Sequence, residues 1–122
     1  MLVEHKEYKE EDGSIGYVES IFKSDNVLKS TFFPKINRLY IAFDRGHTYS
    51  YENITPEMYN EFENSDSQGK FFHKNLNKNP KYPIRKEFTL YPTEVKILKE
   101  IVNEFKNKLE NIETEEDEWE YN

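Results

Sequence analysis

The chain has 122 residues and a net charge of −7, and 35% of its residues are hydrophobic and 16% aromatic. This length fits one domain with a modest core, to which aromatic side chains contribute much buried area. The absence of cysteine excludes disulfides and thiolate metal sites, and no stretch reaches the roughly 20 apolar residues needed to span a bilayer. We expect a cytoplasmic globular protein that does not span a membrane.

The charge is unevenly distributed along the chain. Residues 1–22 carry −4, residues 23–90 carry +3 and residues 91–122 carry −6. The sequence therefore has a neutral-to-basic centre that is flanked by acidic ends.

The first part of the chain predicts an antiparallel β-meander. Residues 1–22 are expected to form an N-terminal hairpin around Asp12-Gly13, because Asp-Gly is the strongest short hairpin signal. Further strands are predicted over 26–33, 38–43 and 47–51, where apolar or aromatic residues alternate with polar ones.

Two short helices are predicted after the meander. The first has Thr55 as its N-cap and Pro56 at its first helical position. The second is capped by Ser67 and ends at Leu76. A proline-containing loop follows, and residues 88–91 are expected to be extended.

Residues 91–112 are predicted to form a longer amphipathic helix. This helix either packs on one face of the sheet or mediates a homodimer. Residues 113–122 are expected to form an acidic, disordered tail. Together the elements predict an α+β fold, in which a small antiparallel β-meander or half-barrel packs with two short helices and a longer C-terminal helix. The apolar positions of the last helix are Val95, Leu98, Val102, Phe105, Leu109 and Ile112.

An ordered set of residues through the centre of the chain resembles a known family. The set comprises the strand Leu39-Tyr40-Ile41-Ala42-Phe43, Gly46, the pair Tyr49 and Tyr51, Ile54, Pro56, Tyr59, the run Ser67-x-Gly69-Lys70-Phe71-Phe72, and Tyr82. In this order the residues make the segment 24–82 similar to the KTSR domain. That small module is found at the end of some lysyl-tRNA synthetases and as stand-alone bacterial and phage proteins. The resemblance implies a KTSR-like domain over residues 23–90, with RNA binding as the role proposed for the family.

The strongest candidate binding site is a basic stretch that contains no acidic residue between positions 69 and 86. Its cations would neutralise phosphates and its aromatic rings would stack on unpaired bases. In the alternative interpretation, the aromatic residues belong to the core and the lysines only solvate the surface. The candidate residues are Lys70, Phe72, His73, Lys74, Lys78, Lys81 and Arg85.

The tyrosines of the meander present a similar choice. Tyr49 and Tyr51, together with Tyr40, either form a stacking platform with Arg38 and Arg45 at its edge or pack against the sheet with their hydroxyls at its rim. Packing is the commoner role of such residues.

The sequence does not indicate catalysis or a metal. His5, His47 and His73 lack the spacing of metal ligands, and no phosphate-binding loop or nucleophile motif is present. We therefore assign no catalytic residue, no metal and no cofactor, and predict that the protein is not an enzyme.

The function predicted from the sequence is a non-enzymatic binding module for nucleic acid, either RNA or a single strand, or for a nucleotide. The alternative is a small phage or mobile-element interaction protein that inhibits or sequesters a host protein or a nucleotide signal. The tail, with Trp119 and Tyr121 among its acids, would either recruit a protein partner and screen the basic stretch or act only as a solubilising segment. The C-terminal helix would be a second surface for a protein partner.

Overall fold

A computed structural model describes the backbone of residues 1–120 and the side chains of residues 1–111. Within these residues the chain forms one six-stranded antiparallel sheet in which every strand pairs with its neighbour in sequence. The sheet is open and does not close into a barrel. Its strands are β1 (Leu2–Lys9), β2 (Ile15–Phe22), β3 (Val27–Phe33), β4 (Arg38–Phe43), β5 (His47–Tyr51) and β6 (Ile84–Thr89).

Two short helices cover one face of the sheet, which we call the front face. They are α1 (Pro56–Glu63) and α2 (Gln68–Phe71), and a π-helical turn (Phe72–Leu76) continues α2. Because side chains alternate along a strand, every second residue of the strands points into this core. The front-face core includes Phe22, Val27, Phe32, Leu39, Ile41, Tyr51, Phe62 and Leu76.

The capping residues predicted from the sequence start both short helices. The Thr55 hydroxyl accepts a hydrogen bond from the Met58 amide at 3.2 Å, and the Ser67 hydroxyl accepts one from the Lys70 amide at 3.3 Å. Between the helices, the fully buried Gln68 amide donates to the Glu63 and Ser65 carbonyls at 3.1 and 3.0 Å. These bonds satisfy backbone groups at the end of α1 and fix the angle between the two helices.

The longer helix α3 (Pro92–Glu120) packs on the opposite face, which we call the back face. Leu98 is 7% exposed there, whereas Ile97, its neighbour in sequence, is 51% exposed. The first part of the predicted apolar seam is therefore a core contact within the chain. The back-face core comprises Ile21, Leu28, Ala42, Leu90 and Leu98, with Val95, Ile101 and Val102 packed against it.

Two predicted boundaries differ from the structure. The last strand begins at Ile84 and ends at Thr89, whereas an extended segment was expected only over 88–91. The bounds of α3 reach Glu120, beyond the end predicted at residue 112. The side chains of 112–120 and all of residues 121–122 lie outside the described residues, so the acidic tail over 113–122 stays a prediction.

The sequence-based prediction of the fold class is confirmed, as are the N-terminal hairpin, the meander and the two short helices. Among the described residues, no helix is long and apolar enough to cross a membrane.

Candidate functional site

Exposed basic side chains recur along the segment from α2 to the edge strand β6. Lys70 lies on α2 and Lys74 on the π-helical turn, while Lys78 and Lys81 lie in the loop that precedes β6. β6 is an edge strand, and it carries two further exposed cations. We call this surface the basic rim, and it consists of Lys70, Lys74, Lys78, Lys81, Arg85 and Lys86.

The four rim lysines at positions 70, 74, 78 and 81 form no salt bridge with any described residue. Several cations elsewhere in the described chain are paired: Lys29 binds Glu19, and Arg38 binds Glu52 at 3.1 Å. A paired cation must give up its carboxylate before it can bind a phosphate. The rim lysines have no such competitor among the described side chains, so their charge is available to an anionic ligand.

The loop that carries the rim lysines is held in one conformation by Asn79. Its side-chain oxygen accepts a hydrogen bond from the Lys81 amide at 3.0 Å, and its amide nitrogen donates to the Asn75 carbonyl at 3.0 Å. Lys78 has a φ of +57°, a left-handed conformation that long side chains seldom adopt. Such strain often accompanies functional positions, because the surrounding structure must maintain it.

A cleft lies beside the turn between β4 and β5. It has a volume of about 430 Å³ and is lined by Arg45, His47 and His73 together with Asn26 and Asp44. The fold thus brings together two histidines that are distant in sequence. Among the described residues no group of three His, Cys, Asp or Glu side chains is arranged to hold a metal. Arg45 and His73, both predicted as ligand-binding residues, share this cleft and are exposed.

Two predicted ligand-binding residues belong to the core instead. Tyr51 is 1% exposed and Phe72 is 7% exposed, and their rings meet edge to face with centroids 5.7 Å apart. A buried ring cannot stack on a base, so packing is the role of both residues. Burial raises the pKa of the Tyr51 hydroxyl above its usual value. Tyr49 is half-buried, and the centroid of its ring lies 6.0 Å from that of Phe43.

The predicted platform of three tyrosines does not form, because its members lie on opposite faces of the sheet. Tyr49 pairs with Ile41 and points to the front face, whereas Tyr40 pairs with Ser50 and points to the back face. Arg38, at the predicted edge of this platform, is bound to Glu52. Its contacts with the Tyr40 hydroxyl and then with Glu52 raise the pKa of the guanidinium.

A row of four aromatic rings crosses β1 to β4 on the back face. Tyr8 stacks on Tyr17 with centroids 4.4 Å apart, Tyr17 lies 5.5 Å from Phe33, and Phe33 lies 5.7 Å from Tyr40. Sequence reasoning missed this row. Its only sequence signal is that Tyr8 and Tyr17 lie on either side of the Asp-Gly turn and so face each other across the hairpin.

A polar network is buried between β1, β2 and α1. The Glu63 carboxylate is 6% exposed and accepts a hydrogen bond from the Ser20 hydroxyl at 2.6 Å and one from the Tyr59 hydroxyl at 3.1 Å. His5 Nδ1 lies 2.8 Å from the same carboxylate oxygen. Ser20 is fully buried, so it is inaccessible to a substrate. The network joins the N-terminal hairpin to α1, and Ser30 completes it through the Tyr59 hydroxyl at 3.0 Å.

Comparisons with known proteins identify the central part of the chain. The model of the KTSC domain family matches residues 23–82, a segment that contains β3 to β5, both short helices and most of the basic rim. A crystal structure of a KTSC domain protein from Yersinia pestis is similar, with 25% sequence identity and a TM-score of 0.52. The match covers 59% of this chain and 99% of that one. No protein with a curated description matches this chain detectably.

Residues 23–82 belong to the KTSC domain family. The resemblance found in the sequence is therefore confirmed, and the family name KTSR is corrected to KTSC. The structure explains several of the residues that carry the resemblance. Ser67 caps α2, and the Gly69 amide donates to the Ser24 hydroxyl at 3.1 Å. A Cβ at Gly69 would lie in ordinary van der Waals contact with that oxygen, at 3.4 Å, so this position has room for a small side chain.

Proposed function

We propose that the protein is a non-enzymatic, cytoplasmic binding module for single-stranded nucleic acid, RNA above all, and that the basic rim holds the phosphates. The observation that carries this proposal is the set of exposed rim lysines without carboxylate partners among the described residues. Each phosphate contact releases a counterion, which gives binding a strong dependence on salt.

The competing explanation is that the rim is only a solvated surface. Exposed lysines at positions 9 and 96 also lack a salt bridge to any described residue, but each has an acidic residue within two positions, whereas no acid lies between 69 and 86. The rim is therefore the longest stretch of cations without acidic neighbours in the sequence. The conformation of the loop is a second argument for a binding role. The backbone of Lys78 is held in a strained conformation, which a merely solvated surface does not require.

The test measures the affinity of a fluorescently labelled single-stranded RNA for the wild type and for a triple variant, Lys70→Gln, Lys74→Gln and Lys78→Asn. Asn replaces Lys78 because it tolerates positive φ. All three side chains are exposed, so the variant is expected to fold. We expect at least tenfold weaker binding at about 50 mM salt, since each lost phosphate contact weakens binding at low salt.

The matched control is a variant with three exposed lysines outside the rim replaced by Gln, at positions 6, 35 and 96. It loses the same net charge, so a purely global charge effect would weaken both variants equally. Equal affinities of the wild type and the rim variant would contradict the proposal.

A further inference from the structure

A pocket of about 750 Å³ lies on the back face, between the sheet and the segment that joins β6 to α3. The sheet contributes Phe33 and Tyr40 from the aromatic row and the hydroxyls of Thr31 and Thr48. The pocket therefore combines ring surfaces with hydrogen-bonding groups, as small-molecule sites do.

The opposite wall of the pocket exposes large rings. Tyr91 is 79% exposed and Phe88 is 58% exposed, and both line the pocket. Neither ring has an aromatic partner within the described residues. A planar ligand that entered between this wall and the aromatic row would cover apolar surface that is otherwise left in water.

The charged groups around the pocket neutralise one another. Lys29 binds Glu19 and lies 3.9 Å from Glu94. Glu87 accepts a hydrogen bond from the Ser50 hydroxyl at 2.8 Å and lies 3.8 Å from Arg85. The pocket thus holds neither an unpaired cation for a phosphate nor an unpaired carboxylate for a basic side chain. Its chemistry fits a neutral heteroaromatic ring with donors and acceptors on its edge.

The pocket borders the basic rim at Arg85. Arg85 belongs to the rim, and its guanidinium faces Glu87, which lines the pocket. Arg85 is also well exposed, with 83% of its side chain accessible, and its contact with Glu87 is long at 3.8 Å, so it can exchange this carboxylate for a phosphate at the mouth of the pocket.

We propose that the back-face pocket binds a nucleobase of the single strand, with its ring between the aromatic row and Tyr91 and its phosphate at Arg85. This inference rests on the proposed function for the phosphates, but it assigns recognition of the base to a separate surface. Thr31 and Lys29 would donate hydrogen bonds to the edge of the base, and Glu87 would accept one from a base amino group.

The first experiment titrates adenosine and cytidine, which lack phosphate, into the full isotope-labelled chain and follows the backbone amide resonances by NMR. We expect shifts at Thr31, Thr48 and Leu90. Tyr91→Ala should abolish or weaken these shifts, and because Tyr91 is largely exposed this variant should remain folded. Ile36→Ala, which removes an exposed apolar side chain outside both the pocket and the aromatic row, should leave them unchanged.

The second experiment compares a base-bearing oligonucleotide with an abasic one of equal length. We expect the wild type to bind the base-bearing strand about five- to a hundredfold more tightly, the range that corresponds to stacking of one base. Tyr91→Ala should reduce this ratio, whereas the rim variant should weaken both strands and leave the ratio unchanged.

The two proposals fail in different ways. Equal binding of the two strands, with no nucleoside shifts in the pocket, would overturn the nucleobase site and leave the phosphate-binding rim standing. Nucleoside shifts without oligonucleotide binding would support the pocket and contradict the rim. A lysine- or arginine-rich peptide that shifts the pocket resonances more strongly than either nucleoside would overturn the nucleobase assignment.

Discussion

Gly46 shows how a single residue joins the meander to the back-face helix. Its φ is +93°, and its carbonyl accepts a hydrogen bond from the Leu90 amide at 2.9 Å. A Cβ at this position would lie 3.0 Å from Val95 Cγ2 and 3.2 Å from the Leu90 carbonyl oxygen. The turn therefore needs glycine both for its backbone conformation and for the close approach of the chain before α3.

Gly46→Ala is expected to lower the free energy of unfolding by about 2–4 kcal/mol, through positive-φ strain and overpacking together. Gly13→Ala is the matched control, because Gly13 also has a positive φ, +87°, but no atom lies within 4 Å of its added Cβ. In this control the free energy of unfolding should fall by only about 1–2 kcal/mol. Urea unfolding measures both variants, and equal losses would show that Gly46 makes no packing contribution.

His5 gives the stability a pH dependence. Its hydrogen bond to Glu7, and next that to Glu63, raise the pKa of the imidazole above its ordinary 6.5, although desolvation opposes them. A raised folded-state pKa means that the protonated histidine stabilises the fold. This contribution is complete below the unfolded-state pKa and is lost as the pH rises through the folded-state pKa.

His5→Gln should therefore destabilise the protein more at about pH 5.5 than at about pH 8.5. Denaturant unfolding of both proteins at the two pH values measures the difference. Groups other than His5 contribute equally to the wild type and the variant, so they cancel. A loss of stability that is the same at both pH values would show that the ion pairs of His5 with Glu7 and Glu63 do not contribute.

At the scale of elements, the sequence predicted those features that depend on local chemistry. The Asp-Gly turn, the alternation in 38–43 and the caps at Thr55 and Ser67 all act within a few residues, and the structure contains each of them. β6 was largely missed because Arg85, Lys86 and Glu87 interrupt any apolar alternation. It is a strand because its backbone pairs with β5, which the local sequence does not reveal.

The candidate site was only partly predictable, because some of its features depend on contacts between residues that are distant in sequence. The basic rim is a contiguous sequence feature, so its lysines were found directly. Whether an aromatic residue is accessible depends on the face to which it points and on what covers that face. Tyr40 and Tyr49 point to opposite faces, and α2 with its π-helical turn covers Tyr51. The pocket also needs Tyr91, which reaches the sheet only through the pairing of β6 and the packing of α3.

The packing of α3 gives a test at the scale of elements. Leu98→Ala should lower the free energy of unfolding by about 2–4 kcal/mol, because truncation of this buried side chain leaves a cavity in the back-face core. Ile97→Ala, on the exposed side of the same turn, should change stability by less than about 0.5 kcal/mol. Thermal unfolding at several protein concentrations measures both effects. Equal losses, or a melting temperature that rises with concentration, would favour the dimer seam over packing within the chain.

For the whole molecule, the distribution of charge suggests self-regulation. Residues 113–122 contain six acids, in the same chain as the basic rim. Deleting these residues should strengthen RNA binding at low salt if the tail screens the rim. This gain in affinity should disappear near 1 M salt, because the Debye length there is only about 3 Å and the tail no longer acts on the rim. Anisotropy titrations of the full and shortened chains measure the effect, and unchanged affinity at low salt would rule out the screening hypothesis.

The most direct test of phosphate binding by the rim is the salt dependence of single-strand affinity. Fluorescence anisotropy at several salt concentrations gives the slope of log K against log salt for the wild type. Contacts from the four unpaired lysines predict a slope near −3, at about −0.7 per phosphate. Replacement of three of them, in the rim variant, should reduce the slope to about −1. A wild-type slope near zero, or equal slopes for the two proteins, would contradict the account.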